Sequence, residues 1–121
     1  PWGCQVFLPT LSLRMVQLLA EHGCTYVYTG IESGAEALRQ AVEKPALRDD
    51  LVRERLQWIA DAGMRLGLSL MFGILNADGA LAESERSVDA TVALAHDCLA
   101  RGLPVAGFYP NVMTVLPGTE V

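Results

Sequence analysis

Three glycines, at positions 23, 63 and 102, fall 40 and 39 residues apart, and each closes the same kind of phrase. Leu19-Ala20-Glu21-His22-Gly23, Ile59-Ala60-Asp61-Ala62-Gly63 and Leu99-Ala100-Arg101-Gly102 each run from an apolar residue through alanine and polar positions to glycine. Such a phrase ends a helix, because the residue after the last turn adopts a left-handed conformation that glycine takes without steric cost. Each is followed within two residues by a run with strand composition. A helix-plus-strand unit repeated at this period restricts the chain to a (β/α) barrel or an open, doubly wound parallel sheet.

The elements between these marks follow from local chemistry. Trp2 to Leu8 reads as a first strand stopped by Pro9. Thr10 or Ser12 caps a helix whose apolar stripe is Leu11, Met15, Leu18 and Leu19. The β-branched and aromatic run 25–31 is the second strand. A short helix spans 35 to about 43 and is broken at Lys44-Pro45. Asp49 or Asp50 opens a helix with Leu51, Val52, Leu56, Ile59 and Ala60 on one side, and Arg53, Glu54, Arg55 and Gln57 in solvent. Leu66 to Phe72 is a nearly continuous apolar strand with Ser69 inside it, suited to a parallel sheet covered on both faces. A loop from Gly73 to about Leu81 leads to a helix from about Ala82 to Ala100, apolar at Val88, Val92, Leu94, Ala95 and Leu99. The last strand lies within 104–115 and is made irregular by Pro110.

Size leaves either an open sheet or part of a larger barrel, and the second is favoured. One domain fits into 121 residues, whereas a closed eight-stranded barrel takes about 250. The expectation is an α/β fold: part of a (β/α) barrel with about four parallel strands and covering helices, and a fragment of a larger barrel. The opening on Pro1 in place of Met agrees with a fragment or a processed chain.

Charge and cysteine usage exclude several roles. With 9 basic and 14 acidic residues the net charge is −5, and the arginines are scattered with no basic stripe, which disfavours nucleic acid as a partner. Cys4, Cys24 and Cys98 are far apart and odd in number, as expected of reduced thiols in a cytoplasmic protein, buried and without a disulfide framework or metal knuckle. No apolar run approaches the roughly 20 residues of a membrane span, and no signal peptide is visible. His22, in a helix's last turn, and His96, beside Asp97, have no metal-ligand partner at useful spacing, and Glu83, Glu85 and Asp89 read as a solvated helix face. There is no Ser-His-Asp arrangement, P-loop or GxGxxG.

The second strand ends on Gly30-Ile31-Glu32-Ser33-Gly34, an acid and a hydroxyl framed by glycines. This polar tip stands at a strand's C-terminal end directly before a helix, the place where α/β folds bind ligands.

Four features, in order, resemble the radical S-adenosylmethionine enzymes, in particular the large group that often carries a cobalamin-binding domain. They are His22-Gly23-Cys24 leading to Gly30-Ile31-Glu32-Ser33-Gly34; Glu43-Lys44; Ala62-Gly63-Met64 leading to Leu70-Met71-Phe72-Gly73; and Leu116-Pro117-Gly118-Thr119-Glu120. The resemblance covers nearly the whole chain and implies the second half of a partial (β/α) barrel, strands three to six. It implies an activity in which a 4Fe–4S cluster cleaves S-adenosylmethionine to a 5′-deoxyadenosyl radical, with cobalamin as an associated cofactor. It also implies three partners: S-adenosylmethionine, a substrate not identified, and the remainder of the parent barrel. The cluster ligands of the family lie in a CxxxCxxC loop, which this sequence lacks, and its three cysteines do not substitute for that loop. The isolated chain is therefore expected to be inactive. The family's Gly-x-Pro-Gly-Glu-Thr after the fifth strand is replaced here by the longer Gly73-Ile74-Leu75-Asn76-Ala77-Asp78-Gly79.

The resemblance places Glu32 and Ser33 near the ribose and amino-acid part of the cofactor, with Gly30 also among the cofactor-binding residues and Gly73 where adenine approaches the backbone. The plainer alternatives are that Ser33 caps the next helix, Glu32 complements its dipole, and Gly73 is a turn glycine. Asn111 and Thr114 face the barrel mouth or are ordinary strand polarity, and Pro117-Gly118-Thr119 is a turn. Two other functions fit the same residues: an unrelated (β/α)-barrel metabolic enzyme, which needs a lysine, acid or phosphate site at the strand tips, or a non-catalytic α/β binding or assembly domain.

Overall fold

A computed structural model describes residues 1–42, 44 and 46–114. Within them the strands are β1 (Trp2–Gln5), β2 (Cys24–Glu32), β3 (Arg65–Phe72) and β4 (Val105–Val112). The helices are α1 (Leu13–Glu21), α2 (Glu36–Ala41), α3 (Asp49–Asp61) and α4 (Glu85–Ala100), with one turn of 3₁₀ helix at Leu8–Thr10. The strands form one sheet in the order β1-β2-β3-β4, and every pair is parallel. Spatial order equals chain order, so the sheet has no point at which the order reverses. That separates it from a doubly wound sheet and agrees with a segment of a barrel.

The three repeated glycines do what the spacing requires: Gly23, Gly63 and Gly102 have φ of +86°, +80° and +71° immediately after α1, α3 and α4. Ser12 caps α1 by accepting the Met15 N–H at 3.1 Å. The core lies between the sheet and the helices. It joins Val27 and Ile31 of β2 and Leu66, Leu68 and Leu70 of β3 to Val16, Val52, Leu56, Ile59 and Cys98 of the helices. The alternate strand positions, among them Gln5, Tyr28, Gly30, Ser69 and Asn111, point to the opposite face.

Several expectations are corrected. The first strand stops at Gln5, and Leu8 enters a 3₁₀ turn and the core. On α1 the residue that is fully buried is Val16, whereas Met15 and Leu18 are 47% and 37% exposed. Arg55 is not solvated: its guanidinium lies 4.1 Å from the centre of the Trp58 ring and its side chain is mostly covered. The last helix begins at Glu85 and buries Ser87, Thr91 and Cys98, while Val92 and Leu99 face outward. Its inner face is small and polar because it packs on the β2–α2 turn, where polar partners await it. Strand β3 is buried on its helix side, but Ser69 and Met71 on the other face are only half covered. Pro110 is accommodated because β4 is an edge strand.

Candidate functional site

Strand β2 does not end as an ordinary strand. Its pairing with β3 shifts register between Gly30 and Glu32, leaving Ile31 as an extra, buried residue. Glu32 then adopts φ of +69°, the one positive value at a non-glycine position among the described residues. Bulge and turn together bring the Glu32 carboxylate back over Gly30. A Cβ added to Gly30 would lie 2.5 Å from Glu32 Oε1 and 3.3 Å from Lys44 Nζ, so any larger residue here must push the carboxylate aside.

Lys44 Nζ donates to Glu32 Oε1, an ion pair whose side chains are 31% and 9% exposed. The pair borders a cleft of about 490 Å³ lined by Gln5, Val6, Phe7, Tyr28, Gly30 and Ser69 as well. Gly30 and Ser69 are neighbours in register on β2 and β3. The cleft thus combines an acid, an ammonium group, an amide, two hydroxyls and apolar wall at the open face of the sheet. An acid and an ammonium group side by side can pair with a ligand's amine and carboxylate respectively.

Further along the same face the tyrosines form a cluster. Tyr26 Oη donates to Tyr109 Oη at 3.3 Å, and the Tyr28 and Tyr109 rings meet edge-on at 5.6 Å. That hydrogen bond, and secondarily burial, pushes the Tyr26 phenol up to about 12. Asn111 donates to Ser69 Oγ and to the Tyr109 carbonyl, both at 3.0 Å, so it does face the open side. Thr114 donates to the Val112 carbonyl at 3.4 Å.

The remaining expected residues lie elsewhere. Ser33 is fully buried and turned toward the helix layer: its Oγ accepts the Ala35 N–H at 3.0 Å and meets Thr91 Oγ1 at 3.3 Å. It is not the cap of α2, whose N-cap is Ala35 with no side-chain cap bond. Gly73, with φ of +72°, ends β3, and its N–H donates to Glu83 Oε2 at 2.6 Å. Glu83 is therefore half-buried and holds the loop after β3, which corrects the reading of a solvated acidic face; its Oε1 is buried without a partner among the described residues. Glu32 and Gly30 thus share the cleft, whereas Ser33 and Gly73 are not in its lining. Glu43, Pro117, Gly118 and Thr119, with the rest of Leu116–Glu120, lie outside the described residues. Sequence reasoning does not assign Lys44, Gln5, Tyr28 and Ser69 to the site; the available signals are the Glu43-Lys44 pair of the resemblance and a serine inside an apolar strand.

The thiols offer little to a metal. Cys4 and Cys24 Sγ lie 3.8 Å apart, and burial together with that contact pushes the Cys4 thiol up to about 11. Burial also raises Cys98, on α4. The Cys4 and Cys98 thiolates are thus disfavoured. Among the described residues no group of three or more His, Cys, Asp and Glu is placed to hold a metal ion. The residues here do not fit an iron–sulfur cluster. Among the described residues no helix is long and apolar enough to cross a membrane.

A second cavity, about 380 Å³, lies between α3 and α4. Its charges are largely paired: Arg53 and Arg101 share Asp97 at 3.0 and 3.5 Å, and Arg39 meets Asp49 at 2.7 Å, while Arg39 Nη2 is buried without a partner among the described residues. Compared with known proteins, the chain matches no family model and shows no significant similarity to a curated protein.

Proposed function

We propose that this chain forms part of the S-adenosylmethionine-binding wall of a radical S-adenosylmethionine enzyme, within a barrel completed by other parts of the parent protein. The observation that carries the reading is the Glu32 carboxylate, turned back over Gly30 by a left-handed backbone and paired with Lys44 at the rim of a cleft. Strained backbone that aims a charged side chain is characteristic of ligand sites. The methionyl part of S-adenosylmethionine carries an ammonium and a carboxylate, which Glu32 and Lys44 complement in charge. Gln5, Tyr28 and Ser69 supply hydrogen bonds and a ring face to the nucleoside. The cluster, and cobalamin if the parent uses it, belongs to segments other than this one, and the chain contributes binding and orientation alone.

The test is anaerobic reconstitution of the parent protein with iron and sulfide, then S-adenosylmethionine and a reductant. Formation of 5′-deoxyadenosine that is lost in Glu32→Gln supports the proposal. A parent that holds no cluster and forms no 5′-deoxyadenosine overturns it.

One observation favours a second reading. An unrelated barrel enzyme needs a lysine or an acid at its strand tips, and the structure brings Lys44 to Glu32. There Glu32 would take up and return the proton of a lysine amine that attacks a carbonyl. Borohydride trapping of a carbonyl substrate on Lys44 distinguishes this from cofactor binding.

A further inference from the structure

Arg39 is completely buried in the six-residue helix α2, yet it does not touch the cleft. Its Nε donates to the Ser33 carbonyl at 2.8 Å. One terminal nitrogen donates to the Leu47 carbonyl at 2.8 Å and to Asp49 Oδ1 at 2.7 Å. The backbone completes the frame: Lys44 N–H donates to the Arg39 carbonyl at 2.8 Å, and Leu47 N–H to the Lys44 carbonyl at 3.1 Å. One guanidinium therefore grips the residue directly after Glu32 and the turn that begins at Lys44.

We infer that Arg39 is a positioning residue that sets the spacing of Glu32 and Lys44 and so the geometry of the ligand-facing pair. Burying a guanidinium is costly, and an apolar side chain of similar volume would fill the same space at lower cost. Arginine is needed here for its rigid fork, which reaches acceptors on two chain segments at once; a lysine, a single point donor, cannot. The importance of the pair for a ligand rests on the function proposed above, whereas the clamp itself is tested without ligand.

The first readout is the Lys44 ammonium resonance in a ¹⁵N spectrum of the 121-residue chain, with amide exchange at Lys44 and Leu47. In Arg39→Lys the Lys44 ammonium signal is expected to disappear into fast exchange with water, and both amides to exchange about tenfold faster. Ile59→Val, which loosens the same helix layer at the far end of α3 from Asp49, leaves the ammonium signal in place. A folded Arg39→Lys with unchanged Lys44 signals overturns the inference. If Arg39→Lys does not fold, Asp49→Ala decides, since its carboxylate is 65% exposed and dispensable for the core: faster exchange at Leu47 supports the clamp, and unchanged exchange overturns it. The second readout is titration of S-adenosylmethionine, where Arg39→Lys is expected to weaken binding about tenfold. Absence of binding in the parent chain and in the reconstituted full-length protein removes the proposed cofactor and leaves the clamp to the spectra.

Discussion

At Glu32 a side chain sits in a backbone region that costs a residue with a Cβ about 1–2 kcal/mol. The cost persists because the ion pair to Lys44 and the vacancy above Gly30 receive the carboxylate. Gly30→Ala is accordingly expected to push the carboxylate aside and weaken ligand binding about tenfold. Its effect on stability should be small, because the atom displaced is the end of a side chain; calorimetric titration beside thermal unfolding checks both. Lys44→Met leaves the largely buried carboxylate without its partner and is expected to lower stability by about 1–3 kcal/mol, measured by urea unfolding. Much of this was hidden in the sequence. Glu32 was legible as the acid of a glycine-framed tip, but its partner lies twelve residues on, beyond a whole short helix. Only the path of α2 decides that the two meet. Ser33 shows the converse: beside Glu32 in sequence, it is turned by the same bulge into the helix layer.

Elements were legible wherever a local rule governs them. The glycine-stopped helices and the strands after them appear where the repeat put them, because capping and left-handed turns depend on a few adjacent residues. The inner face of α4 was not legible. Apolar periodicity pointed to Val92 and Leu99, whereas the buried positions are Ser87, Thr91 and Cys98. Thr91 explains the choice: its Oγ1 accepts the Gly34 N–H at 2.9 Å and donates to the Ser87 carbonyl at 3.1 Å, binding α4 to the β2 tip. Thr91→Val leaves a covered N–H without an acceptor and is expected to cost about 1–3 kcal/mol. Chemical denaturation gives the loss, and amide exchange should locate it at Gly34.

Across the whole molecule the sheet carries two chemistries, an apolar core on the helix side and a polar, tyrosine-rich open face. The core runs without interruption from Val16 through β2 and β3 to Cys98. Leu68→Ala at its centre is expected to cost about 2–5 kcal/mol and to unfold in a single transition by circular dichroism and tryptophan fluorescence alike. The open face responds instead to alkali. The Tyr26 phenol lies above its ordinary 10.0, at about 12, so its hydrogen bond stabilises the fold fully below pH 10 and is lost as pH rises through the higher value. Phenolate absorbance should show one late-titrating tyrosine that disappears in Tyr26→Phe. The repeated unit has a further consequence. Because α1, α3 and α4 each end on a left-handed glycine and the strand after each sets out in the same direction, every such unit delivers its loop to one common rim. Lengthening the sheet by a unit would therefore add a loop to the rim beside Glu32 without reorienting those in place, so the surroundings of the candidate site can change as a cassette while Glu32 stays put.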